Sequence, residues 1–470
     1  MAKNVYYFYM EEITQNCFLY RKSEAKIASF LESKAEKALL VTGARQVGKT
    51  FLIEKLGKEH FENFVKIDFL ENKSARTLFE DAVDTKDILT RISALGNVRL
   101  VPSETLIFLD EVQECKESIT AIKYLVEEGS YKYVLSGSLL GVELYNVRSI
   151  PVGYMDSLEM FPLDFEEFAI ANGVSREVLE AIRNAFENTT PVDEIVHAAM
   201  MRLFRLYLVV GGMPAAVSKY LETNNITDVV NEQSNILNRY REDIAKYEKE
   251  DKKLRIRKVF DLIPAELNEK NKRFILNDVE KTARKDRYEN TFEWLSNAGV
   301  AIPVYNAKEP TLPLKLSQTA TLFKLFLSDV GLLSAMYMDG IQLRILNNEQ
   351  SINFGAVYEN ATAQELKAHG FKDIYYFNSR KQGELDFVIG SSKGVIPLEI
   401  KSGKNYKTHA ALTKIISNPD YQIDHAFVFS NENVKKEDKI VYMPMYMLMF
   451  IEKESIPENM VYKVNVSALQ

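Results

Sequence analysis

The chain has 470 residues, 46% of them apolar and 27% charged, a globular composition with room for roughly three domains. Its net charge of −7 excludes a globally basic nucleic-acid binder, so any such surface has to be local. Two cysteines far apart, Cys17 and Cys115, and five scattered histidines exclude a disulfide framework and a Cys/His zinc site.

From the amino terminus, Glu11 and Glu12 interrupt the apolar core that a signal peptide would need, and Met443–Ile451 is too short to span a bilayer. The expectation is a cytoplasmic protein with no membrane partner. Lys37–Thr42 reads as a buried strand, Phe51–Lys58 as a helix, and the octapeptide between them fits the phosphate-loop pattern G-x-x-x-x-G-K-[ST]. Gly43, Ala44, Arg45, Gln46, Val47 and Gly48 would turn their backbone toward the phosphates of ATP. Lys49 would neutralise the β/γ charge and Thr50 would ligate Mg²⁺.

Strands Phe64–Phe69, Thr105–Leu109 and Lys132–Leu135 alternate with helical stretches such as Ser118–Glu128, the rhythm of an α/β sheet. The second ends in two carboxylates: Asp110 as a Mg²⁺ ligand and Glu111 as the general base that polarises the attacking water. After the third come Ser136 and Ser138, either of which can sense the γ-phosphate if the stretch is more than a plain turn. Arg148 follows, an arginine finger or a solvated surface residue.

Residues 165–250 read as a helical lid broken at Gly211-Gly212-Met213-Pro214, with Arg239 and Arg241 as candidate nucleotide contacts. Lys252–Arg287 carries twelve Lys/Arg against six Asp/Glu, interleaved with Phe260, Phe274 and Tyr288, and is the local candidate for DNA backbone contacts. An apolar turn at 298–304 and a strand at Leu314–Leu316 then suggest a winged-helix-like module. From Ile352 the pattern returns to mixed α/β: helix Gly355–His369, then strands Asp373–Phe377, Glu384–Ile389, Val395–Lys401 and His425–Phe429. The expected domains are 1–164, 165–250, 251–345 and 346–470.

Within the last domain, strand alternation puts Glu399 and Lys401 on one face and Leu398 and Ile400 on the other. Pairing with the preceding strand brings Asp386 to Glu399, two hard oxygen ligands for Mg²⁺ with an ammonium beside them, and Glu359 supplies a further carboxylate. A solvated edge strand would show the same alternation.

Together, GARQVGKT, LDEVQE, the SGSLL turn, PLDFEEF (Pro162–Phe168), GGMP and YREDIAKY (Tyr240–Tyr247) resemble a prokaryotic family of AAA+-type ATPases with a C-terminal domain of unassigned function. The resemblance implies an α/β fold: a P-loop AAA+-like core with a helical lid and Mg²⁺-dependent ATP hydrolysis. Ring-forming relatives make a homo-oligomer one expectation. Glu359, Asp386 and the E-x-K of Glu399 and Lys401 are similar to the PD-(D/E)xK nuclease superfamily, which implies a restriction-endonuclease-like domain with Lys401 as a catalytic residue. The proline that the superfamily places before the Asp is replaced by Leu385. Three functions stay open: an ATPase that drives DNA processing, an ATP-dependent regulator or scaffold that binds without cutting, and a nucleotide-gated signalling protein.

Overall fold

The computed structural model describes residues 19–34, 36–80, 82–138, 153–247, 250–269, 274, 285–337, 340–349, 354–454 and 461–464. Helix α1 (Lys22–Glu32) leads into the first sheet, whose strands are β1 (Ala38–Thr42), β2 (Asn63–Asp68), β3 (Thr105–Asp110), β4 (Lys132–Gly137) and β5 (Met155–Glu159). All run parallel, in the order β2-β3-β4-β1-β5. Parallel strands need crossover connections, which helices supply on both faces. Among these are α2 (Lys49–His60), α3 (Thr85–Gly96) and α4 (Lys116–Glu128). The continuous apolar runs follow from that double coverage: every residue of β3 is buried, and separate hydrophobic clusters fill the two faces.

The sequence Asp164-x-x-Glu167 then starts a helical layer. Each side chain of this capping box accepts from the other residue's backbone N–H, opening α5 (Phe165–Ala171). Ser175 and Asp193 cap α6 (Arg176–Asn188) and α7 (Glu194–Val210) with their side-chain oxygens, which accept from backbone N–H groups of the first turn. The Gly-Gly-Met-Pro turn ends α7, and Pro214 is tolerated at the first position of α8 (Pro214–Thr223), where no helical N–H is needed. The long α9 (Ile226–Tyr247) and α10 (Glu250–Asn268) follow, then α11 (Lys285–Asn297).

The second sheet departs from the expected winged-helix-like module. Residues 301–307, the first four of them expected as a turn, form strand β6 (Ala301–Ala307), and Leu314–Ser317 is a 3₁₀ turn rather than a strand. The hairpin partner of β6 is β7 (Gln318–Leu327). This hairpin is no free-standing wing, because β6 pairs in parallel with β8 (Ile374–Ser379) and so joins the C-terminal sheet. A lone two-stranded hairpin is marginal in water, and here Val304, Phe326 and Leu327 gain a shared core instead. Helices α12 (Val330–Met336), α13 (Ile341–Leu346) and α14 (Gly355–Ala368) stand between β7 and β8. The sheet continues with β9 (Gly383–Ser391) and β10 (Gly394–Ile400), then α15 (Ala410–Ile416), β11 (Ala426–Ser430), β12 (Lys435–Glu437) and β13 (Ile440–Pro444). Its order is β12-β13-β11-β10-β9-β8-β6-β7, mixed parallel and antiparallel.

One hydrophobic cluster runs from Leu163 to Ile451, joining the helical layer, the β6–β7 hairpin and the C-terminal sheet. The aromatics of the basic stretch belong to this packing: Phe260 is fully buried, and Phe274 stacks with Phe323 and meets Phe292 edge to face. Much of that stretch, Tyr288 included, lies outside the described side chains.

Gly212 marks where the layers meet. Its N–H donates to Asp329 at 2.6 Å and its carbonyl accepts from Leu163 N at 2.7 Å. A Cβ there would lie 2.0 Å from the Leu163 carbonyl oxygen. Gly212→Ala is therefore expected to lose about 1–3 kcal/mol of stability, an overpacking cost, read as a lower urea midpoint; an unchanged midpoint would show that the junction yields freely.

Candidate functional site

The parallel registers bring Thr42, Asp110 and Ser136 to the carboxyl end of the first sheet, where open α/β sheets bind ligands. Between β1 and α2, Gly43 takes φ 136°, and a Cβ on it would meet the Met160 carbonyl at 2.1 Å, so only glycine lets the chain turn here. Lys49 Nζ donates back to the carbonyls of Gly43 (3.0 Å) and Ala44 (2.8 Å). Burial lowers its pKa to about 8, more than Glu111 and Asp110 restore, and Arg45 lowers it further.

Thr50 Oγ1 lies 3.0 Å from Asp110 Oδ2, and Asp110 also accepts from Ser136 Oγ and pairs with Lys66 at 3.3 Å. Burial raises the Asp110 pKa. Glu111 occupies the left-handed region at φ 56°, a strained position for a residue with a side chain. Its carboxylate accepts from Gln113 Nε2 and, at 3.1 Å, from Ser138 Oγ. Thr50 and Asp110 thus offer a hydroxyl and a carboxylate in contact, a donor set that fits Mg²⁺, with Glu111 turned to its side.

Arg45 leaves the loop toward α9, donating to Ser138 Oγ at 3.3 Å and pairing with Asp243. Tyr240 Oη donates to the Arg45 carbonyl at 3.1 Å. Arg241, expected at the nucleotide, instead pairs with Asp261 at 2.9 Å and donates to Asn238 at 3.2 Å. On α9 it is Tyr240 and Asp243 that reach the loop. Arg148 lies outside the described residues. Arg21, which no motif marks, donates to the Val47 carbonyl at 2.8 Å and to the Phe161 carbonyl at 2.6 Å, and pairs with Glu167 at 3.2 Å. A cavity of about 850 Å³ opens beside the loop, lined by Leu19, Arg21, Gly48, Phe51 and Pro214.

In the second sheet, the antiparallel register that pairs Leu398 with Phe387 brings Asp386 opposite Glu399. A bulge between the β8 partners of Leu385 and Val388 falls at Asp386, the kind of irregularity that re-aims a side chain. Leu398 and Ile400 enter the large core, as alternation requires. Asp386 Oδ2 accepts from Ile400 N at 2.8 Å, and Lys401 Nζ donates to Glu399 Oε1 at 2.7 Å. Glu359, Asp386 and Glu399 all act on the Lys401 charge and raise its pKa against the effect of burial. Glu359, expected as a metal ligand, faces Lys324 of β7 at 3.6 Å. Among the described residues no group of three or more His, Cys, Asp or Glu is arranged to hold a metal. Lys324 itself escaped the sequence reading because it interrupts an apolar strand, where a lysine reads as an outward-facing residue.

A family model described as an AAA domain matches residues 35–169. Two models of domains of unknown function match 201–347 (DUF8612) and 354–448 (DUF4143). No curated protein matches the chain. Solved structures similar to it include the Walker-type ATPase of Pyrococcus abyssi, 14% identical over 68% of this chain and 96% of that one, TM-score 0.40. The Aeropyrum pernix Orc1 protein in complex with DNA is 10% identical over 71% and 97%, TM-score 0.30. The Thermotoga maritima RuvB Holliday junction branch migration motor is 16% identical over 62% and 91%, TM-score 0.28. The amino-terminal part is thus a P-loop, AAA-type ATPase-like domain, followed by a mixed-sheet C-terminal domain. No described helix is long and apolar enough to cross a membrane.

Burial lowers the Lys49 pKa to about 8, so a phosphate bound at this loop would meet an ammonium that the free protein gives up above that pH. Phosphate holds the proton, so binding takes one up in this range. Nucleotide affinity should fall with a limiting slope of roughly tenfold per pH unit above about 8, measured by titration calorimetry; a flat profile from pH 7 to 9.5 would refute the assignment.

Proposed function

We propose that the protein is a Mg²⁺-dependent ATPase of the AAA+ type, whose nucleotide cycle acts on DNA through the C-terminal carboxylate–lysine cluster. One observation carries the first half: Thr50, Asp110, Glu111 and Ser138 converge at one end of a parallel sheet, joined by direct hydrogen bonds, with Lys49 held on the loop carbonyls of Gly43 and Ala44. In this reading the loop amides and Lys49 hold the phosphates, and Phe51 with the cavity beside it takes the nucleoside. Thr50 and Asp110 would hold Mg²⁺, which supplies positive charge against the β- and γ-phosphate oxygens. Glu111 orients and deprotonates the attacking water, with Ser138 fixing its carboxylate. Among the described residues Arg45, one hydroxyl away from Glu111, is the guanidinium best set to meet the γ-phosphate.

Glu111→Gln should bind ATP with near wild-type affinity and hydrolyse it at least about a hundredfold more slowly. Radiolabelled nucleotide retention against phosphate release checks this, and normal turnover would remove Glu111 from the base role.

The DNA half is supported by the Asp386, Glu399 and Lys401 cluster, in which two carboxylates and an ammonium suit a cation and a scissile phosphate. Glu399 Oε2 is buried without a hydrogen-bond partner, an acceptor left over for such a cation. A second reading, a domain that binds without cutting, is favoured by the absence among the described residues of a three-ligand group. Duplex, branched and single-stranded DNA incubated with wild type and Lys401→Ala, with and without ATP, in Mg²⁺ or Mn²⁺, separates the two. Cleavage is expected from the wild type and a loss of at least about a hundredfold from Lys401→Ala; identical products from both would leave the binding reading.

A further inference from the structure

Lys324 has no exposed surface at all. A buried ammonium costs several kcal/mol unless it is paired closely. Here the partners are Glu384 at 2.7 Å and Glu359 at 3.6 Å, with the Tyr376 ring centroid 5.0 Å away. Burial alone would lower the lysine's pKa, but Glu359, Glu384 and Asp386 raise it above the ordinary value. The lysine arrives from β7, whereas Glu359 comes from α14, Glu384 and Asp386 from β9 and Glu399 from β10, and β7 belongs to a hairpin joined to the sheet by β6.

We propose that Lys324 is a built-in cation which commits Glu359 and Glu384 to itself, so that the C-terminal site takes a single divalent ion, on Asp386 and Glu399. Charge favours this. Glu359, Glu384, Asp386 and Glu399 supply four negative charges against the two positive charges of Lys324 and Lys401, leaving one divalent ion's worth. Geometry favours it too: Glu399 Oε2, on the strand beside Asp386, is a buried acceptor without a hydrogen-bond partner, while Glu359 Oε2 faces Lys324 at 3.6 Å. Glu359 is then a positioning residue that holds Lys324 in place rather than a ligand. The inference rests on the cation-site reading given above.

Mn²⁺ titration of the full-length protein without nucleotide tests it, with Asp110→Asn in every sample so that the phosphate-loop site adds no ion. The parent should bind one ion, and Glu399→Gln should weaken it at least about tenfold. Glu359→Gln should leave the stoichiometry at one ion, because that carboxylate serves the lysine. Lys324→Met should open room for a second Mn²⁺, removed again by adding Glu359→Gln. If Lys324→Met does not fold, the Glu359→Gln titration decides alone. Loss of the ion in Glu359→Gln, or a folded Lys324→Met that still binds only one, would overturn the role of Lys324 and leave the cation site standing. A parent that binds no Mn²⁺ would remove the site itself, and the inference with it.

Discussion

Helix α14 is the element on which the assembly depends. All its residues from Ala356 to Leu366 are buried, and three of its polar side chains, Asn360, Gln364 and Glu365, bond backbone from other parts of the chain. Asn360 exchanges hydrogen bonds with both backbone groups of Leu327, and Gln364 accepts from Val330 N. Glu365 accepts from Phe165 N at 2.9 Å and from Tyr207 Oη at 3.0 Å. A helix carrying so many polar groups loses their hydration on burial, and that cost is offset only when each finds a partner. The helix therefore has one place to sit, and the hairpin, α5 and α7 are held to it.

From this helix a connected set of charges leads back to the phosphate loop. His369, one turn beyond Glu365, faces Asp164 at 3.4 Å; Lys22 pairs with Asp164 at 2.8 Å; Glu167 takes the Lys22 N–H and the Arg21 guanidinium; and Arg21 holds the Val47 carbonyl. Burial would raise Asp164, yet Lys22 and His369 hold it below the usual carboxylate range. Burial and the nearby Asp164 push Glu167 up to about 7. Glu359 lies on the same helix as Glu365, so the backbone that positions the C-terminal cluster is the one that meets the nucleotide domain.

Local chemistry was readable from the sequence; long-range pairing was not. The phosphate loop, the acidic end of β3 and the E-x-K strand are set by backbone geometry within a few residues, and spacing alone placed each on its element. The β6–β7 hairpin was misassigned because its signal, short apolar runs near prolines, is the same whether it stands alone or pairs with β8 some seventy residues away. Arg241 and Asp243 share one turn of α9, and periodicity cannot say which of them faces the loop. Arg21 and Lys324 had no local pattern at all, since their meaning comes from partners far along the chain.

Two buried lysines show how the same side chain is turned to different uses. Lys49 sits among backbone carbonyls whose dipoles only partly replace water, and Glu111 and Asp110 do not restore what burial removes, so its pKa falls. Its charge is undercompensated, and a phosphate is the partner that would complete it. Lys324 is the reverse: carboxylates on two different elements overcompensate the burial, and the ammonium is saturated before any ligand arrives. An undercompensated cation waits for an anion, whereas an overcompensated one has become part of the scaffold. By that criterion Lys401 falls between them, since it is paired with Glu399 and only partly buried, leaving its ammonium accessible beside a carboxylate oxygen that has no partner.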